Sequence, residues 1–87
     1  MRVGVRLFGA LREEEGSDRL DLELPEGACA GDVRKQVAER LSAAAQLGER
    51  LRISVNLEFT SDSHALSAGD EVALLPPVAG GAGAEDR

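Results

Sequence analysis

The sequence predicts an α+β domain in which one main helix packs across a mixed sheet of four to five strands. Stretches of alternating apolar and polar residues occur towards both ends of the chain, and this period of two is typical of strands with one buried face. Between them, apolar residues recur at spacings of three and four, as in an amphipathic helix. A chain of 87 residues has room for a single small core.

The first part of the chain predicts two strands separated by a short helix. Residues 2–8 alternate between apolar and polar side chains, and residues 20–24 do the same, so we expect two strands that pair with each other. Residues 10–15 favour one or two helical turns, which Gly16 would end. The consecutive glutamates at 13–15 are expected to form a solvated face.

The main helix is predicted to begin near Ala30, because Val33, Val37, Leu41 and Ala44 follow a helical spacing. Gly48 is its expected end. Its outward-facing side chains would be Arg34, Lys35, Glu39 and Arg40.

Cys29 lies where the N-cap of this helix is expected, three residues before Asp32. Cysteine is a poor cap. We therefore expect Cys29 to be a small, half-buried residue rather than a reactive thiol.

The second half predicts the remaining strands. Residues 51–59 alternate and contain Asn56, which indicates a third strand that turns there into a short fourth. Residues 61–64 are expected to form a loop in which His64, the only histidine, is a surface residue. Residues 66–70 predict a tight turn into the last strand. That strand would lie parallel to the first, joined to it through the helical crossover.

Composition excludes several functional classes. The net charge is -6 and the only aromatic residues are Phe8 and Phe59, which disfavours nucleic-acid binding. One cysteine allows neither an intramolecular disulfide nor a multi-cysteine metal site, so no metal site is predicted. With no secretory leader and no long apolar run, a cytoplasmic location is expected. The sequence contains neither a nucleophile paired with a base nor a phosphate-binding loop. We therefore expect no catalytic residues of its own and no tightly bound cofactor.

The chain leaves the predicted fold at Pro76 and Pro77, because proline cannot donate a ladder hydrogen bond. Gly80 and Gly81 then make the segment slender. Two interpretations fit these residues: a frayed end, or an extended strip of backbone that enters a groove of a partner. Phe8, which lies among polar residues of the first strand, either covers an edge of the core or belongs to a binding surface.

Over residues 1–81 the chain closely resembles the small subunit of molybdopterin synthase, a family of sulfur-carrier proteins with the ubiquitin-like β-grasp fold. The matching segments are Arg2-Val3-Gly4-Val5-Arg6-Leu7-Phe8, Leu11-Arg12-Glu13, Leu24-Pro25-Glu26-Gly27-Ala28, Val55-Asn56, Leu66 with Gly69-Asp70-Glu71-Val72-Ala73, and Pro76-Pro77-Val78-Ala79-Gly80-Gly81.

The resemblance implies a sulfur carrier in molybdenum cofactor biosynthesis, a non-catalytic subunit of a sulfurtransferase complex. In that family an ATP-using, ubiquitin-activating-like enzyme adenylates the terminal glycine. The glycine then becomes a thiocarboxylate, which donates its sulfur to cyclic pyranopterin monophosphate inside the large synthase subunit. On this chain the carrier residue would be Gly81.

The resemblance also implies a division of the chain and of its site. A β-grasp domain over residues 1–75 would present an extended carrier tail over residues 76–81. The tail residues before Gly81 are Pro76, Pro77, Val78, Ala79 and Gly80, and the positions that match hydrophobic or polar docking residues are Phe8, Arg12, Phe59 and Leu75.

Residues 82–87 depart from the family pattern. We expect them to form a flexible extension. While Gly81 is bonded to Ala82 it has no free carboxylate to adenylate, so the implied function requires cleavage between these two residues. A processing metalloprotease is a candidate for this step.

Three alternatives stay open from the sequence. The chain could be a sulfur carrier for cysteine, thiazole or secondary-metabolite synthesis. It could be a ubiquitin-like modifier joined through Gly81 to lysines of other proteins. It could also be a noncovalent β-grasp binding module with an inert tail.

Overall fold

The computed structural model describes residues 1–77. The tail residues Val78, Ala79, Gly80 and Gly81, and the extension 82–87, lie outside the described residues. The described elements, in order, are β1 (Arg2–Leu7), α1 (Gly9–Glu15), β2 (Arg19–Glu23), α2 (Ala30–Arg40), α3 (Ser42–Leu47), a 3-10 turn (Gly48–Arg50), β3 (Arg52–Val55), β4 (Glu58–Thr60) and β5 (Glu71–Leu75).

The five strands form one mixed sheet in the order β2-β1-β5-β3-β4. β1 and β5 are parallel neighbours at its centre, with Gly4 opposite Glu71. The other pairs are antiparallel. The predicted mixed sheet and the parallel pairing of the first and last strands are confirmed, and the arrangement is that of a β-grasp fold.

α2 packs across one face of the sheet and closes the core. Its Val33 and Val37 are fully buried, as are Leu7 of β1 and Leu74 of β5. Burial of each such side chain contributes about 1.5–3 kcal/mol. The alternation along the strands therefore directs one set of residues into this core and leaves the other set on the opposite face.

The prediction of one continuous helix from Ala30 to the region of Gly48 is wrong, because the helix is interrupted at Leu41. This residue has extended dihedral angles, φ -119° and ψ 124°, and separates α2 from α3. Glu14 of α1 provides the reason, since its carboxylate accepts hydrogen bonds from the backbone N–H groups of Ser42 and Ala43 at 2.8 and 2.9 Å. A side chain distant in sequence thus supplies the cap that Leu41 cannot.

The prediction of a solvated glutamate face is confirmed for Glu13 and Glu14, which are exposed, and is wrong for Glu15, whose side chain is 14% exposed. Glu14 nevertheless forms specific hydrogen bonds. The hydrogen bonds from Ala43 and Ser42 hold the pKa of Glu14 below its ordinary value. Glu15 accepts two hydrogen bonds from Arg40, both at 2.8 Å, which lower the pKa of Glu15. Together they fasten α1 to the junction of α2 and α3.

Arg34 was expected to face outward, and it is instead largely covered, with 16% of its side chain exposed. Its guanidinium donates to both carboxylate oxygens of Asp62 at 3.1 and 3.0 Å, and to the carbonyl of Gly48 at 2.6 Å. Arg34 therefore connects α2 to the 61–64 loop and to the end of α3.

The start of α2 agrees with the sequence. Cys29 is half-buried, and its backbone N–H donates to the carboxylate of Asp32 at 2.8 Å. This hydrogen bond holds the pKa of Asp32 below its ordinary value.

Within residues 1–77 no helix is long and apolar enough to cross a membrane.

Candidate docking face and tail exit

The sheet face opposite α2, here called the open face, is where the second set of alternating side chains lies. Neighbours across this face follow the strand register: Phe59 of β4 is opposite Ser54 of β3, and Ser54 is opposite Ala73 of β5. Ala73 is in turn opposite Arg6 of β1. The open face thus combines apolar and charged residues in one continuous row.

The structure places three of the predicted docking residues on this face. Phe8 has 39% of its surface exposed and Phe59 has 58%. Leu75 is half-buried, two residues beyond Ala73 on the same side of β5. Large apolar side chains left exposed on one face are typical of an interaction surface. The docking role of these three residues stays a prediction.

A shallow hollow of about 520 Å³ lies on the open face. Phe8 contributes to one part of its lining and Leu57, at the turn between β3 and β4, to another. Its full lining consists of Arg6, Phe8, Ser54, Asn56, Leu57, Glu71 and Ala73.

Phe59 contributes to a second, smaller hollow of about 370 Å³ beside β4. The guanidinium of Arg52 stacks over the Phe59 ring, 3.9 Å from its centroid. This cation–π contact holds the ring while leaving more than half of the side chain accessible.

Ion pairs lie beside the apolar residues of the open face, on β2, β1 and β5. Glu71 lies 3.3 Å from the guanidinium of Arg6 and 4.0 Å from that of Arg19. Arg19 also lies 3.6 Å from Asp21. All four side chains are about half exposed, so these pairs add little stability.

The tail leaves the sheet beside α1. β5 ends at Leu75, and the half-buried Pro76 follows directly. Pro76 lies against Gly9, the first residue of α1, so closely that a Cβ atom on Gly9 would be 3.2 Å from Cγ of Pro76. The exit of the tail and Phe8 are therefore adjacent.

Arg12 is exposed on α1, four residues after Phe8. Phe8 itself precedes the helix, with extended dihedral angles of φ -134° and ψ 157°, so this spacing does not fix which way Arg12 points. The structure groups Phe8, Leu75 and Pro76 at one end of the open face, whereas Phe59 lies towards its β4 edge. The docking role of Arg12 stays a prediction.

The β3–β4 turn is tied to the start of β5 by Asn56. Its side chain donates to Asp70 at 3.1 Å and accepts from the backbone N–H of Glu71 at 3.1 Å. Asp70 also accepts from the backbone N–H of Ser67 at 2.8 Å. These hydrogen bonds, that from Ser67 foremost, lower the pKa of Asp70.

The sequence reasoning missed two residues of this region. Leu57 is 96% exposed and has a positive φ of 75°. The sequence feature that could have identified Leu57 is its place after Asn56 in a two-residue turn, where the second residue is usually glycine. Gly9 was also missed, and its signal was a glycine placed between a strand and a helix.

The family model that describes the ThiS family matches residues 5–81 of this chain. The chain belongs to the ThiS family. The match covers the domain from Val5 onward and the whole predicted carrier tail, and it confirms the family resemblance found in the sequence.

Individual relatives agree with this assignment. The molybdopterin synthase sulfur carrier subunit of Mycobacterium tuberculosis is 33% identical over 93% of this chain and 99% of that protein. The small archaeal modifier protein 1 of Haloferax volcanii superposes with a TM-score of 0.78 at 27% identity, over 88% of this chain and 98% of that one.

The same fold occurs in a protein complex of subunits 1 and 2 of the molybdopterin-converting factor from Helicobacter pylori. The matched chain has a TM-score of 0.65 at 22% identity, over 93% of this chain and 100% of that one.

Proposed function

We propose that this chain is the sulfur carrier of molybdopterin synthase and that the carboxylate of Gly81 is the carrying group. The observation that supports this most is the position of the tail exit. Pro76 leaves the sheet beside Phe8, at the apolar end of the open face. A partner that covers this end would receive the tail at the same time. The names of the curated relatives support the same role.

The chemistry proposed for Gly81 needs two steps on a partner enzyme. One oxygen of the Gly81 carboxylate attacks the α-phosphorus of ATP, and pyrophosphate leaves. Hydrosulfide, the nucleophile supplied by a sulfide donor, then attacks the acyl carbon and displaces AMP, and loss of its proton yields the thiocarboxylate. The acyl adenylate is activated because the carboxylate has lost its resonance, so the carrier needs no catalytic side chain of its own.

Sulfur transfer would occur in the large synthase subunit. The tail enters the active site of that subunit, and the thiocarboxylate donates its sulfur to cyclic pyranopterin monophosphate. Water then hydrolyses the bond between the Gly81 acyl carbon and the sulfur, which leaves the sulfur on the pterin and returns Gly81 to a carboxylate. The open face supplies the binding energy through Phe8, Phe59 and Leu75, with Arg12 at its edge.

This function requires a free Gly81 carboxylate, so the bond to Ala82 must first be cleaved. The test compares the chain truncated after Gly81 with the 87-residue chain. Each is incubated with the activating enzyme, ATP and a sulfide donor, and its intact mass is measured. We expect sulfur to replace one oxygen only in the truncated chain. A truncated chain that never gains sulfur would refute the proposal.

A second measurement tests the pathway. The thiocarboxylated chain is mixed with the large subunit and cyclic pyranopterin monophosphate, and the dithiolene product is followed. Transfer to this acceptor supports the molybdopterin pathway. A thiocarboxylate that forms but gives no product there would assign the carrier to another acceptor.

In native cells we expect intact-mass analysis to find the chain ending at Gly81.

The likeness to the small archaeal modifier protein 1 favours a second candidate, a protein modifier attached through Gly81. A tagged chain ending at Gly81 would then appear in higher-mass conjugates with other proteins. Lys35 is the only lysine, so chains of this protein upon itself could grow only from that residue. Replacement of Lys35 by arginine would abolish such chains but leave the other conjugates.

A further inference from the structure

Among the described glycines with positive φ, Gly9 is the one that also packs closely against another residue. Its φ of 58° lies in the left-handed region, and its missing side chain faces Pro76. At Gly16, Gly27, Gly48 and Gly69 the φ angle is also positive, yet an added Cβ atom would meet nothing within 4 Å. A turn alone therefore does not account for glycine at position 9.

The contact at Gly9 is with the first residue after β5. A Cβ atom there would lie 3.2 Å from Cγ of Pro76, closer than the usual carbon–carbon contact of about 3.5–4.0 Å. The pyrrolidine ring has fixed geometry, so it cannot rotate away as a flexible side chain would. The chain on either side of the contact is held by β5 and by α1.

We infer that Gly9 is a positioning residue for the carrier tail, because the close packing of Pro76 on its bare backbone sets the direction in which the tail leaves the sheet. This inference rests on the proposed carrier function. A bulkier residue at position 9 moves Pro76 by a few tenths of an ångström. That shift moves the start of the tail, because the rings of Pro76 and Pro77 restrict the backbone directly after the sheet.

The test uses the chain truncated after Gly81 and two matched variants, Gly9→Ala and Gly16→Ala. Both place alanine at positive φ, at the two ends of α1, so both carry a comparable backbone strain. Only the first adds a contact with the tail. Adenylation by the activating enzyme is measured for each, after thermal denaturation has shown that both are folded at the assay temperature.

We expect Gly9→Ala to lower kcat of adenylation about tenfold, since misplacement of a reacting group by a fraction of an ångström has effects of this order. KM should change little, because Gly9→Ala leaves the exposed side chains of the open face unchanged. Gly16→Ala should keep the wild-type kcat. Equal kcat values for the two variants would overturn the inference.

A double-mutant cycle tests the contact itself. Pro76→Ala removes the Cγ atom that the new Cβ would meet. In this background we expect Gly9→Ala to cause no further loss of kcat, whereas additive losses would show that Gly9 acts through the fold and not through Pro76.

A structural readout separates this inference from the proposed function. Residual dipolar couplings of the Val78 amide report tail direction without any enzyme. We expect them to change in Gly9→Ala and not in Gly16→Ala, and unchanged couplings in both would overturn the inference. A wild-type chain that is never adenylated would instead refute the proposed function, and the couplings would still decide the role of Gly9.

Discussion

Replacing Leu57 by glycine should stabilise this protein. Leu57 has a φ of 75°, and the left-handed region costs an L-residue about 1–2 kcal/mol. Its side chain is 96% exposed, so burial contributes almost nothing to stability in return. Glycine removes the strain but adds freedom to the unfolded chain, which costs about 0.5–1 kcal/mol. The net gain in the free energy of unfolding is about 0.5–1 kcal/mol.

Such a gain corresponds to a rise in Tm of roughly 2–8 °C for a domain of this size. Thermal and urea denaturation, followed by far-UV circular dichroism, would measure it. Leu57→Ala is the matched control, because it removes the same exposed side chain but retains the Cβ atom that causes the strain. We expect the alanine variant to show no gain. If Leu57→Gly is no more stable than Leu57→Ala, the strain argument is wrong.

Three further predictions concern the open face, acid stability and the α2 contacts. Phe59→Ala should weaken binding of the large synthase subunit by about 10- to 30-fold in calorimetry. Lys35→Ala, a substitution on the outer face of α2, is the control and should leave Kd unchanged. Equal Kd values for the two variants would contradict the docking role of Phe59. The hydrogen bonds from Arg40 lower the pKa of Glu15, so its stabilising contribution is present above the unfolded pKa of about 4.3 and is lost as the pH falls through the folded value. Glu15→Gln should therefore lose less stability than wild type between about pH 5 and pH 3, and parallel acid limbs would refute this. Arg34→Ala should lower the free energy of unfolding in urea by about 1–3 kcal/mol, and a change below about 0.5 kcal/mol would show that its contacts with Asp62 and Gly48 do not stabilise the fold.

Local chemistry explains why the strands and several boundaries could be predicted. Alternation of apolar and polar residues along β1 depends only on which side chains must be buried, and the chain records it directly. Gly16 ends α1 as expected. Gly48 marks the end of the helical region as expected, although the helix that it ends is the separate α3. The turn at Asn56 likewise follows from a side chain that tolerates positive φ.

The break at Leu41 shows where local reasoning fails. The apolar spacing continues through Leu41 and Ala44, both of which are buried, so the pattern contains no sign of an interruption. The decisive interaction is the hydrogen bonding of Glu14 to Ser42 and Ala43, across 28 and 29 positions. Arg34 is a similar case, since only the folded chain brings Asp62 to it.

For the candidate site, the sequence by itself determined the residue types: two prolines after the last strand, two isolated aromatic residues and a family motif that ends at Gly81. Tertiary structure decided their arrangement. The parallel pairing of β1 with β5 brings the end of the last strand beside Phe8 and Gly9, and α2 covers only the other face. Contacts of this kind depend on strand order and on packing between distant segments. Side-chain periodicity, which reports burial one residue at a time, does not encode them.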